Sequence, residues 1–128
     1  MKKLEYWKAK LKEVKNPTSS WFRQHGFRHC MCNGSSIHVW INKSKRVVIK
    51  IPYIVDTNFL RSRERKFAIP YLKYKKWTIQ PLCHVDKKAR KKAYKIFCAL
   101  KDNYYFADEY NLEFNVGMYR NKPVIFDW

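Results

Sequence analysis

Apolar residues recur at Leu4, Trp7, Leu11 and Val14, with lysines, Glu5 and Glu13 on the positions between. That three-and-four spacing predicts an amphipathic helix that stops at Asn16-Pro17. After Thr18-Ser19-Ser20 the pattern becomes β-like. Ile37-His38-Val39-Trp40-Ile41 and Val47-Val48-Ile49-Lys50-Ile51 are strand-length runs rich in β-branched residues, and the polar Asn42-Lys43-Ser44-Lys45 between them predicts an antiparallel hairpin. Leu60, Phe67, Ile69 and Leu72, spread among charges from Asn58 to Leu72, predict a short helix interrupted near Pro70. Trp77 to Leu82 alternates as a strand would, and Pro81 places it near an edge or an end of a sheet. Ala89, Ala93, Ile96, Phe97 and Leu100 form one helical face opposite Lys87, Lys88, Arg90, Lys91, Lys92 and Lys95, with Asp86 positioned as the cap. Val116-Gly117-Met118-Tyr119 and Val124-Ile125-Phe126, on either side of Arg120-Asn121-Lys122-Pro123, predict a second hairpin. The sequence has no internal repeat and no linker-like stretch. The fold class expected is α+β, a small antiparallel sheet with flanking helices: an amphipathic helix over 1–16 and a single domain over 17–128.

Composition sharpens this picture. The 128 residues are 46% apolar and 17% aromatic with three glycines, which excludes a disordered or low-complexity chain, and the length excludes a two-domain enzyme. Lysine and arginine number 28 against 10 acidic residues, a net charge of +18. Solubility alone asks for far less, and such a field attracts polyanions at long range. The cations cluster at Lys43, Lys45 and Arg46, at Lys73, Lys75 and Lys76, and at Lys87, Lys88, Arg90, Lys91 and Lys92. Tyr71, Tyr74 and Trp77 interleave the second cluster, an alternation that suits stacking on exposed bases together with phosphate contact. The competing reading has the aromatics packed inward and the cations simply solvated. No apolar run is long enough to span a membrane or to serve as a signal-peptide core, so a cytoplasmic protein without a membrane partner is expected. Cys30, Cys32, Cys83 and Cys98 are then expected as thiols. His29, Cys30, Cys32, Cys83 and His84 could supply soft ligands, but Cys30-x-Cys32 and the adjacent Cys83-His84 depart from the spacing of structural zinc sites, and zinc is not expected.

A metal-phosphate site of the kinase type needs an amide oxygen and a carboxylate at the ends of two short paired strands. Asn115 and Asp127 flank the last predicted hairpin in that way, and Lys50 closes the run Val47-Val48-Ile49-Lys50. Together these residues resemble the protein-kinase-like fold, most closely the small kinase-like proteins of tailed-phage genomes, from about Phe27 to Trp128. The resemblance implies a minimal kinase N-lobe plus catalytic-loop hairpin, with ATP and Mg²⁺ as cofactors. It implies Lys50 on the α- and β-phosphates and Glu64, in Arg61-Ser62-Arg63-Glu64, as its helix partner. Gly34-Ser35-Ser36, with Val39, would form part of the phosphate-covering loop, and Asn115 and Asp127 would be the metal ligands.

The departures from that pattern define the expected function. Five residues before Asn115 the family has an aspartate base; here the position is Tyr110, a phenol that does not take a proton from a hydroxyl at neutral pH, and Asp108 and Glu109 are out of register. Cys32 and Ile37 stand where the covering loop has glycines, and the sequence closes one residue after Asp127. The expectation is a non-catalytic kinase-like phage protein, in the cytoplasm of an infected bacterial host, that docks on a host protein with an acidic surface or on nucleic acid through the three basic clusters. Two alternatives stand beside it: a minimal Mg-ATP-dependent phosphotransferase using Asp108 or Glu109 as base, and a nucleic-acid-binding module without sequence preference. The oligomeric state is left open by the sequence.

Overall fold

Leu4, Trp7 and Leu11 are buried along one side of helix α1 (Lys2–Val14), as their spacing predicts. The helix ends where Lys15 turns left-handed at φ 64° and its N–H reaches back to the Leu11 carbonyl at 3.1 Å. The computed structural model describes residues 2–31, 38–51, 67–100 and 116–125. They belong to two compact units, one formed by residues 1–54 and 70–82, the other by residues 55–69 and 83–128.

The first unit contains a helix that the β-like reading of its sequence misses. Helix α2 (Ser19–Gln24) starts at Thr18, whose Oγ1 accepts a hydrogen bond from the Trp21 N–H at 3.2 Å. It ends at Gly26, left-handed at φ 87°, with Gly26 N–H on the Arg23 carbonyl and Phe27 N–H on the Phe22 carbonyl. This is the paired-bond Schellman termination, and the Phe22 and Phe27 rings supply its apolar contact at 5.6 Å. The strands β1 (Arg28–Met31), β2 (His38–Asn42), β3 (Val47–Ile51), β4 (Leu72–Tyr74) and β5 (Trp77–Pro81) form an antiparallel sheet in the order β1-β2-β3-β5-β4. The hairpin expected at Asn42–Lys45 is present. Strand β5 is interior to the sheet, and Pro81 is tolerated because it is the last residue of the strand, opposite Val47.

One face of this sheet carries Trp40, Val47, Ile49, Trp77 and Ile79 into a core with Leu4, Trp7, Leu11, Phe22 and Phe27. Phe22 is its centre: the ring stacks on Trp40 at 4.6 Å and 7° and meets Trp77 at 5.5 Å. Trp7 joins through Phe27, edge-on at 5.0 Å. The opposite face, by strand alternation, carries Val39, Val48, Lys50, Thr78 and Gln80.

The second unit is built on helix α3 (Lys87–Leu100), which Asp86 caps by accepting the Ala89 N–H at 2.9 Å, and on the hairpin β6 (Val116–Tyr119) and β7 (Lys122–Ile125). Ala93 and Phe97 pack with Val116, Met118 and Ile125. The hairpin turns on Arg120 and Asn121 alone, both left-handed, so Lys122 and Pro123 belong to β7 and not to the polar turn expected from the sequence. The helix expected over Asn58–Leu72 is corrected at its described end: Ala68 bridges to Ile125, Ile69 donates to the Ile125 carbonyl at 2.9 Å, and Leu72 opens β4. Its first part lies outside the described residues. Among the described residues no helix is long and apolar enough to cross a membrane.

Gly117 fits this unit because it has no side chain: a Cβ there would lie 2.7 Å from the His84 carbonyl oxygen and 2.9 Å from the Cys83 sulfur. Gly117→Ala is therefore expected to destabilise the second unit by about 1–3 kcal/mol through overpacking. Amide exchange should rise in β6 and α3 while β2 and β3 keep their protection.

Candidate functional site

Lys50 sits in the middle of the sheet's second face, on the third strand, with Val39 opposite it on β2 and Thr78 opposite it on β5. Its side chain is half-buried, and the Thr78 hydroxyl beside it is buried with no hydrogen-bond partner. The other residues that the resemblance implies for a nucleotide site, Gly34, Ser35, Ser36, Glu64, Asn115 and Asp127, lie outside the described residues. So do Asp108 and Glu109.

All the cations of the three clusters are described. The first unit holds 15 lysines and arginines against two carboxylates, Glu5 and Glu13, a net +13 of the chain's +18. Lys10 meets Glu13 at 3.8 Å, but two acids cannot neutralise fifteen cations. Sheet register places the first two clusters at opposite ends: Lys43, Lys45 and Arg46 form the β2–β3 turn beyond the Val47–Pro81 pair, whereas Lys75 and Lys76 form the β4–β5 turn beyond Tyr74–Trp77. Lys73 is exposed on the edge strand β4.

The β4–β5 turn also gathers a cation that the sequence clusters omit. Lys12, in the last turn of α1, places its Nζ 5.8 Å from the Tyr74 ring centroid, and Lys75 approaches the same ring at 5.6 Å. Lys15 follows three residues after Lys12, past the helix end. Cations at a helix C-terminus are favoured by the helix dipole, which gives these lysines a local structural stabilisation as well. Tyr74 and Trp77 do not form an exposed stacking platform: Trp77 is in the core and Tyr74 packs against it, with Lys76 over the Trp77 ring at 5.6 Å. The inward-packed reading of these aromatics is the one the structure bears out. Tyr6 and Tyr94 are the exposed large hydrophobic residues among those described.

In the second unit, Lys87, Lys91 and Lys95 follow one another at four-residue steps along α3, with Lys88 and Lys92 beside them, all exposed and opposite Ala93 and Phe97. Lys95 joins this stripe although the sequence clusters leave it out. Arg90 differs from its neighbours: it is half-buried at the flank of the packed face, and its Nε is buried without a hydrogen-bond partner.

Among the described residues, five non-glycine residues have left-handed backbones, Lys15, Arg46, Lys75, Arg120 and Asn121, and four of the five are cations. Glycine or asparagine adopts this conformation with less strain, and an ordinary side chain there costs roughly 1–2 kcal/mol. Each hairpin turn among the described residues thus carries a basic side chain at a left-handed position. Arg46 has a structural use for its charge, since Nη2 donates to the Leu82 carbonyl at 2.9 Å and the Leu82 N–H returns to the Arg46 carbonyl. For Lys75, the interaction seen among the described residues is the approach to the Tyr74 ring.

Comparison of the chain with known protein families, curated proteins and solved structures finds no match.

The β2–β3 turn depends on Asn42, which is buried; its Nδ2 donates to the His25 carbonyl at 2.9 Å and its Oδ1 accepts from Ser44 Oγ and Lys45 N–H, each at 3.0 Å. Asn42→Ala is expected to cost about 2–3 kcal/mol, because it removes three part-buried hydrogen bonds, two of them to backbone groups. Urea denaturation gives the magnitude, and faster amide exchange at Lys45 would locate the loss in the turn.

Proposed function

We propose that this chain is a polyanion-binding protein on a kinase-like scaffold, which docks on nucleic acid or on the acidic surface of a host protein without transferring phosphate. The observation that carries the reading is the placement of cations at left-handed turn positions. A lysine that only served solubility would sit equally well on any exposed position, with no backbone strain. Lys15, past the end of α1, and Lys75, in the β4–β5 turn, are both exposed there, where a charged partner can reach them. The imbalance of 15 cations to two acids in the first unit supports the same reading, since a net +13 creates a field that attracts polyanions.

Lys15 and Lys75 provide the test, because function and stability should move in opposite directions there. Lys15→Gly and Lys75→Gly are each expected to raise stability by no more than about 0.5 kcal/mol, the relief of left-handed strain less the entropy of glycine and the lost helix-dipole or Tyr74-ring contact. The double variant should nevertheless bind single-stranded DNA, duplex DNA or polyglutamate more weakly. On duplex DNA, its slope of log affinity against log salt should become shallower by about 0.9 for each phosphate that the variant no longer neutralises. Affinity of the unsubstituted chain that did not change with salt for any of these polyanions would remove the proposal. Preference for polyglutamate over both nucleic acids would identify the acidic-protein form of the reading.

Lys50 favours a second reading, nucleotide binding. The lysine of a Val-x-Ile-Lys run is expected on the third strand of a kinase sheet, and Val47-Val48-Ile49-Lys50 occupies β3 here. If the resemblance extends to the site, ATP with Mg²⁺ should raise the melting temperature through binding to the folded state, and Lys50→Ala should abolish the shift. Transfer of labelled phosphate to any acceptor would replace the non-catalytic reading with phosphotransfer.

A further inference from the structure

His29 and His38 are nine residues apart, and the β1–β2 pairing brings them together. His29 lies opposite Trp40 and His38 opposite Met31, which makes the two histidines diagonal neighbours on one face of the sheet. His29 Nε2 and His38 Nδ1 are 3.1 Å apart, with ring centroids at 5.3 Å. Trp40 fixes the His29 ring by packing against it at 4.8 Å. His38 is exposed and β1 is an edge strand, so both nitrogens are open to solvent at one side.

We propose that this pair is a bidentate site for a divalent transition-metal ion of the zinc, nickel or copper class. Two imidazole nitrogens bound to one tetrahedral ion at about 2.0–2.1 Å are about 3.3 Å apart, close to the separation already present. Without an ion, a proton on one nitrogen bridges the two rings. On binding, that proton moves to the outer nitrogen of its own ring through solvent, and both inner lone pairs turn to the ion. Sites held on strands are better fixed than sites on loops, and here the strand register sets the separation. Imidazole suits borderline ions, which excludes Mg²⁺ and Ca²⁺ as the preferred ligand class.

Among the described residues no third histidine, cysteine, aspartate or glutamate joins the pair, and Cys30 points to the opposite face by alternation along β1. With two protein ligands among the described residues, the remaining positions are open to water, and the ion is exchangeable and not a structural staple. The net +13 of the unit repels a dication, so the site depends on imidazole coordination and not on long-range attraction.

The test is titration of the reduced full chain with Zn²⁺, followed by NMR of the imidazole ring signals. The His29 and His38 signals are expected to shift together and saturate at one ion per chain, with His25 and His84 unmoved. His29→Gln and His38→Gln should each weaken binding ten-fold or more, while His84→Gln leaves it unchanged. Affinity should increase with added salt, because screening reduces repulsion of the ion; polyanion binding has the opposite salt dependence, so failure of one proposal is separable from failure of the other. Shifts centred on His84 or on residues beside the cysteines would overturn the assignment, as would a His29 shift that survives His38→Gln.

Discussion

The first unit has to hold together against its own charge. Fifteen cations with two carboxylates repel one another across a body of modest size, and the opposing force is the aromatic packing around Phe22. That ring touches Trp40 and Trp77 from the sheet and Phe27 from the chain leaving α2, and Phe27 in turn holds Trp7 of α1. Large rings suit this task because each buries much apolar area and adds a geometric preference for edge and offset contacts. Lys2, Lys3 and Lys12 of α1 and the lysines of the two turns can stay exposed because the layer beneath them is dense. The same arrangement explains why Tyr74 and Trp77 are not free to stack on bases: they belong to the force that opposes the repulsion.

Much of this architecture is legible in the sequence where one periodicity dominates. Leu4, Trp7 and Leu11, the β-branched runs of β2 and β3, and Asp86 ahead of Ala89, Ala93 and Phe97 each give one reading, and each element forms where the pattern puts it. Helix α2 escapes because it is six residues long, too short for periodicity to register. Its signals are terminal instead: Thr18 as cap, Gly26 as the left-handed stop and the apolar pair Phe22 and Phe27 around that stop. The segment before β4 misleads for another reason, since the apolar residues from Phe67 to Leu72 serve two different units and so follow no single face.

The candidate site residues divide in a similar way. Runs such as Lys87-Lys88 or Lys75-Lys76 are plain in the sequence, but their grouping is not. Lys12 reaches the β4–β5 turn only because α1 crosses that end of the sheet, and Lys43, Lys45 and Arg46 are carried to the other end by antiparallel register. The His29–His38 pair depends on register as well; a slip of one residue would send one ring to the opposite face. Sequence proximity therefore overstates some clusters and hides others, and the backbone conformation of Lys15 and Lys75 adds a distinction among cations that composition cannot make.

The sheet of the first unit is assembled from two stretches of chain separated by a piece of the other unit. Strand β3 has β2 beside it early, but its second neighbour, β5, is supplied only by residues 77–81. During synthesis the nascent polypeptide must therefore emerge past Pro81 before the middle of that sheet is closed, and until then β3 presents a bare hydrogen-bonding edge of Val47, Val48 and Ile49. Such an edge invites pairing with another copy. Lys43, Lys45 and Arg46 stand at its start, and like charges there oppose such pairing.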